Sequence, residues 1–190
     1  MASRREKTPP KQMRKIALVI CEGETEVCYI NLLKTWYKSP IRVVSHIEGT
    51  KITPSLVENR TKELKISPWD KVHTFLMYDM DVQAINEKLQ KCKADMLLSN
   101  PCFEIWLLLH TKEQKTAINT DALIKELKKS APTWKNYSKT AFTDTQKSFL
   151  NDNTDVAVAR AKILCEFQNP STSIYKLIEL LQKNTKMINH

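Results

Sequence analysis

The stretch KIALVICEGETEVCYINLLKTWYK, residues 15–38, decides the fold. Lys15–Cys21 is apolar and rich in β-branched residues, and reads as a buried strand. From Thr25 to Lys38 the apolar residues Val27, Ile30 and Leu33, with Leu32 and Trp36, recur at helical spacing. Between the two lies Glu22-Gly23-Glu24-Thr25-Glu26, an acidic turn containing one of only two glycines in the chain.

The same strand-to-helix alternation continues outward. Ile41–Ile47 reads as a second strand, and Thr53 as a cap for a helix with Pro54 at its first position, running to about Leu64. Lys71–Tyr78 is a third strand, Val82–Lys93 a helix and Asp95–Leu98 a short fourth strand. Strands alternating with helices imply right-handed crossovers and a parallel four-stranded sheet covered on both faces. Beyond Ser99 the pattern is helical: Pro101–His110, Thr120–Lys129, Phe142–Leu150, Thr154–Phe167 and Ser171–Gln182. Two of these helices are expected to open with Asn-Pro, at Asn100-Pro101 and Asn169-Pro170, with asparagine as cap and proline at the first position. The expected organisation is a basic tail over residues 1–13, an α/β core over 14–100 and an α-helical C-terminal extension over 101–190, packed on the core as one structural unit.

The composition narrows the function. Average usage would place about 13 glycines in a chain of this length, against Gly23 and Gly49 alone. Neither a G-x-G-x-x-G loop nor a G-x-x-x-x-G-K-[ST] loop can be written with two glycines, so phosphates must be handled by other groups. The formal net charge is +9 in 190 residues. Arg4, Arg5, Lys7, Lys11, Arg14 and Lys15 against Glu6 place +5 of it in the first fifteen positions, a basic arm suited to a polyanion or serving as a solubilising extension. The longest apolar stretch, Ile16–Cys21, is far short of the roughly 20 residues that cross a bilayer. Five scattered cysteines without a C-x-x-C suit free thiols and a reducing cytoplasm, and no membrane association is expected.

Ligands of open parallel sheets gather outside the carboxyl ends of the strands. Strand one ends at Glu22, with Glu26 four residues on, and strand three ends at Asp79-Met80-Asp81. An extended Asp-x-Asp points both carboxylates to one side. With strands one and three adjacent, four acids meet at one sheet edge, and their repulsion calls for protons or a hard cation such as Mg²⁺ or Mn²⁺. Each element also has a plainer reading: Glu24 and Glu26 as first-turn helix stabilisers, and the D-x-D as a capped turn.

These residues carry a resemblance. Glu22-Gly-Glu-Thr-Glu26 followed by Asp79-x-Asp81 resembles the Toprim fold of topoisomerases, bacterial primases and overcoming-lysogenization-defect nucleases. The segment Ser99-Asn-Pro-Cys-Phe-Glu-Ile-Trp-Leu-Leu-Leu-His110, with Asn169-Pro-Ser-Thr172, looks like the RloB family, which includes abortive-infection proteins of the AbiLii type, and the resemblance spans about residues 14–185. By position, Glu22 takes the place of the Toprim glutamate, a metal ligand or general acid/base, and Asp79 and Asp81 take those of the metal-binding pair. Glu26 matches a second acid that the overcoming-lysogenization-defect nucleases use in the same loop. The resemblance implies Mg²⁺-dependent phosphodiester hydrolysis and a role in phage defence beside a partner ATPase, on DNA or RNA, tRNA included. The alternative is a non-catalytic nucleic-acid-binding or regulatory subunit of such an ATPase.

Further candidates lie around this core. Glu104, just past strand four, is a fifth catalytic candidate. His110 near its helix end reads as a cation facing the helix dipole, or as a group of the site. Trp134, Lys135, Tyr137, Lys139 and Phe142 interleave aromatic and basic groups in a polar stretch read as a loop, the pattern of base stacking with phosphate contacts, or of aromatics folded back onto the core. Lys51 follows strand two at the same sheet edge. The nucleic-acid candidates are therefore Arg4, Arg5, Lys51, Lys135 and Lys139.

Overall fold

The computed structural model describes residues 14–186. Arg4 and Arg5 lie outside the described residues, as does the rest of the basic tail over 1–13. Five strands form one sheet in the order β2-β1-β3-β4-β5. They are β1 (Lys15–Cys21), β2 (Arg42–Ile47), β3 (Lys71–Asp79), β4 (Asp95–Asn100) and β5 (Ser171–Thr172). The first four pair in parallel, and β5 runs antiparallel to β4.

β1 lies at the centre of the early strands because nearly every residue in it is apolar, so both faces can be covered. Alternate side chains enter two different cores. Ala17, Val19 and Cys21 pack on one face with Tyr29, Ile30 and Leu33 of α1 (Glu24–Tyr37). Ile16, Leu18 and Ile20 pack on the other with Val57 of α2 (Pro54–Glu63) and with Ile85 and Leu89 of α3 (Gln83–Leu89). Each fully buried Leu or Ile contributes about 1.5–3 kcal/mol, and moving the register by one residue would exchange the two sets.

The expected start of α2 is present, with the Thr53 hydroxyl accepting the Leu56 N–H at 3.2 Å and Pro54 in the first turn. The later helices are α4 (Glu104–Leu109), α5 (Thr120–Ser130), α6 (Asp144–Asp152), α7 (Thr154–Lys162) and α8 (Tyr175–Lys186). They are not a separate layer. The first core joins Phe75, Met77 and Leu97 of the strands to Ile105–Leu109 of α4, Leu123 and Leu127 of α5, Leu150 of α6, Ala157 of α7 and Leu177 of α8.

The Asn-Pro segments depart from the sequence-based expectation. Asn100 ends β4 and Asn169 precedes β5; both following prolines are cis, and neither asparagine caps a helix. Their amides instead tie distant loops: Asn100 donates to the Phe167 carbonyl at 3.0 Å, and Asn169 bonds both the N–H and the carbonyl of Ile118, at 3.0 and 2.9 Å. Helix α8 therefore starts at Tyr175, because Ser171 and Thr172 are spent on the sheet edge. There the Ser99 and Thr172 hydroxyls bond at 3.0 Å, and the Ser173 hydroxyl accepts the Leu98 N–H at 2.9 Å. α3 is also shorter than its periodicity suggests, and α7 stops before Phe167.

Candidate acidic active site

Register places the acids. Cys21 of β1 pairs with Met77 of β3, and Asp79 of β3 pairs with Ser99 of β4, so the carboxyl ends of three strands stand together. The Glu22 N–H donates to the Met77 carbonyl at 3.0 Å, and the Glu22 carboxylate accepts the Asp79 N–H at 3.0 Å, so this acid closes the junction between β1 and β3. Asp79 accepts the Phe103 N–H at 2.8 Å and thereby ties β3 to the start of α4. Glu26 folds back along α1 to accept the Gly23 N–H at 3.1 Å.

Glu104 completes the cluster from below. It is 1% exposed, and its Oε1 accepts the Tyr137 hydroxyl at 3.1 Å and lies 3.3 Å from Lys139 Nζ. Its Oε2 is buried with no hydrogen-bond partner. Glu22, Glu26, Asp79 and Glu104 line one cleft of about 340 Å³ with Gly23 and Lys139.

The electrostatics follow from that crowding. Burial, then the charges of Glu26, Glu22 and Glu104, raise the Asp79 carboxyl to about 9 against the single Phe103 hydrogen bond that favours its ionised form. Burial also raises Glu22, opposed by the Asp79 N–H and reinforced by Asp81, and raises Glu26, where Glu22 and Glu104 add to it. Lys139 is raised in turn: partial burial works against its charge, but Glu104 beside it outweighs burial. At neutral pH Asp79 therefore holds a proton in the absence of another cation.

Residues 17–181 match the family model described as RloB-like protein. The chain belongs to the RloB-like family. No curated protein and no solved structure matches it. The matched segment of this RloB-like chain contains every carboxylate of the cleft and Lys139, and leaves out Arg4 and Arg5.

The sequence candidates separate around the cleft. In the RloB-like chain Asp81 does not line the cleft with Asp79: the last ladder bond of β3 runs from the Met80 N–H to the Ser99 carbonyl at 2.9 Å, and the chain then bends at Met80 and Asp81. Asp81 is consequently exposed and is not among the lining residues, although its charge reaches Glu22. Glu24 is exposed at the rim. Lys51 ends a 3₁₀ turn over Gly49–Lys51, exposed and away from the lining, and Lys135 is exposed on the segment that carries Lys139.

Of the two readings of the aromatics near the cleft, the one that folds them back onto the core holds. Trp134, Tyr137 and Phe142 are buried, at 0, 4 and 7% exposure, and so offer no stacking surface; Trp134 donates to the Thr111 hydroxyl and Tyr137 to Glu104. His110 is not a helix-end cation: burial lowers it to about 4, its Nδ1 lies 2.8 Å from the Trp106 carbonyl, and Arg160 opposes its protonation. The Gly23 backbone is extended, and an added Cβ would stand 3.2 Å from Glu26 Oε2. Gly49, at φ +51°, is the glycine that occupies the left-handed region. The Cys21 and Cys102 thiols are both pushed up by burial, which removes them as nucleophiles.

The bond from the Tyr137 hydroxyl to Glu104 and that from the Thr25 hydroxyl to the Lys139 carbonyl are contacts that sequence reasoning missed. Separations of 33 and 114 residues leave no local signal for either contact.

Proposed function

We propose that this RloB-like protein is a Mg²⁺- or Mn²⁺-dependent nuclease of the Toprim kind that hydrolyses phosphodiester bonds of DNA or RNA, tRNA included. The observation that carries the reading is the meeting of Glu22, Glu26, Asp79 and Glu104, from three separate chain segments, in one cleft at the carboxyl edge of the sheet. Hard carboxylate oxygens, a buried unpartnered Glu104 oxygen and an aspartate driven up to about 9 by its neighbours suit a divalent cation. Among the described residues no three such side chains stand close enough to hold an ion as they are, so side-chain rotation accompanies loading.

Glu22, Glu26 and Asp79 would hold the cation, with Asp81 approaching from the bend beyond β3. A bound cation would polarise a phosphoryl oxygen and lower the pKa of water at the site. The chain's own part is positional. The Asp79 N–H orients Glu22, the Phe103 N–H orients Asp79, and the Gly23 N–H orients Glu26, so each acid is held through one oxygen. Lys139 supplies positive charge at the mouth, and Arg4, Arg5, Lys51 and Lys135 are the proposed contacts to the phosphate backbone.

The proposed setting is a cytoplasmic effector of an anti-phage, abortive-infection system that a partner ATPase restrains. No helix among the described residues is long and apolar enough to cross a membrane. The second reading, a non-catalytic nucleic-acid-binding or regulatory subunit, draws on the acids not being closed around an ion as they stand. Incubation with DNA and RNA panels plus Mg²⁺ or Mn²⁺ decides between them. Cleavage is expected from the wild type and none from Glu22→Gln, with both proteins folded. Cleavage that persists in Glu22→Gln refutes the site, and absence of cleavage with retained binding to the same panels supports the second reading.

A further inference from the structure

Among the described residues lining the acid cleft, Lys139 is the one cation, against Glu22, Glu26, Asp79 and Glu104 with Glu24 at the rim. The backbone beneath it is pinned to α1, since the Lys139 carbonyl accepts the Thr25 hydroxyl and the Thr140 carbonyl accepts the Cys28 thiol at 3.5 Å. α1 also carries Glu26, so the base of the lysine is fixed relative to the acids. The side chain above is not fixed in this way: it is 55% exposed and held by one ion pair, 3.3 Å from the buried Glu104 Oε1.

The charges in the cleft do not balance. One ammonium offsets one carboxylate, and Glu104 Oε2 remains buried without a hydrogen-bond partner. A flexible, partly hydrated ammonium is the weakest-held countercharge that a buried carboxylate can have, whereas a dication brings twice the charge and several coordination positions. Resting on the metal-dependent reading above, we infer that Lys139 is the resident countercharge of the cleft, holding Glu104 in the metal-free protein and giving it up to solvent in competition with an entering divalent cation. The lysine thereby sets the cation affinity of the site, and it does so through Glu104 specifically.

Calorimetric titration of Mn²⁺ into the metal-free full chain tests this. Replacing Lys139 by Met, or by Gln as a second neutral variant, removes the competitor, so Mn²⁺ is expected to bind about two- to fivefold tighter, the scale of a partly exposed ion pair. Lys139→Arg keeps the charge and is expected to keep the wild-type affinity. In a Glu104→Gln background, Lys139→Met is expected to produce no further tightening. Equal affinity in wild type and Lys139→Met, with Glu22→Gln abolishing uptake in both, overturns the inference and leaves the metal reading intact. Full tightening in the Glu104→Gln background also overturns it, since the lysine would then act only through overall charge. No Mn²⁺ uptake by any of these proteins overturns the metal reading and the inference with it.

Discussion

Asp79→Asn is expected to make the metal-free protein more stable at neutral pH, although the residue removed is central to the candidate site. Asparagine keeps the oxygen that accepts the Phe103 N–H at 2.8 Å, so the link from β3 to α4 survives. What disappears is the cost of an aspartate whose carboxyl is held near 9 in the fold against 3.8 in a free chain. The sign follows from proton linkage. A carboxyl raised on folding gives stability that is full below its unfolded pKa and is lost as pH rises toward the folded one. At pH 7 the unfolded chain has released the proton and the folded chain has not; the interval from 3.8 to 7, at 1.36 kcal/mol per pH unit, comes to about 4 kcal/mol. Coupling to Glu22 and Glu26 spreads that cost over the cluster, so a gain of about 2–4 kcal/mol is expected. Urea denaturation in chelator-treated buffer at pH 7 and again near pH 4 measures it, with the variants converging at the lower pH as both states of the wild type become protonated. Saturating Mg²⁺ should reverse the order by stabilising the wild type alone. An Asp79→Asn protein no more stable than wild type at pH 7 without metal would refute the account of mutual acid repulsion.

Two further outcomes follow from the same geometry. His110, lowered to about 4 by burial, gives stability that is present above its ordinary 6.5 and is lost as pH falls through about 4; the stability difference between wild type and His110→Phe should therefore shift against the wild type as pH drops from 6.5 to 4, and a constant difference in urea titrations would refute the buried neutral imidazole. Gly23→Ala introduces a Cβ 3.2 Å from Glu26 Oε2 in an extended backbone that any residue adopts, so thermal stability should change by no more than about 1 kcal/mol while Mn²⁺ affinity falls, and unchanged affinity would detach Glu26 from the site.

The strands and the acids on them were legible in the sequence because their signals are local. Six consecutive apolar residues from Ile16 to Cys21, a Thr-Pro helix start at Thr53 and acids at the ends of two strands need no knowledge of distant partners. β5 was not legible: two polar residues carry no period, and Ser171 and Thr172 become a strand only because the edge of β4 offers backbone and hydroxyl partners there. Asp81 departs from its expected place beside Asp79 for the opposite reason. Alternation holds only while a strand lasts, and β3 ends at Asp79 with bends at Met80 and Asp81, so the second aspartate stands exposed outside the cleft lining.

The sequence by itself determined the α/β class, the parallel β1–β4 core, the exclusion of glycine-rich phosphate loops and the identity of Glu22, Glu26, Asp79 and Glu104 as the acids to watch. Tertiary structure alone decided how those acids are held and what faces them. Glu104 reaches Tyr137 and Lys139 across more than thirty residues, the aromatics of that segment turn inward to fill the core, and Thr25 anchors the loop from the far side of the chain. The physical reason is that periodicity records which face of an element is apolar, whereas a buried carboxylate takes its partners from whichever segments the packed core brings within hydrogen-bond reach.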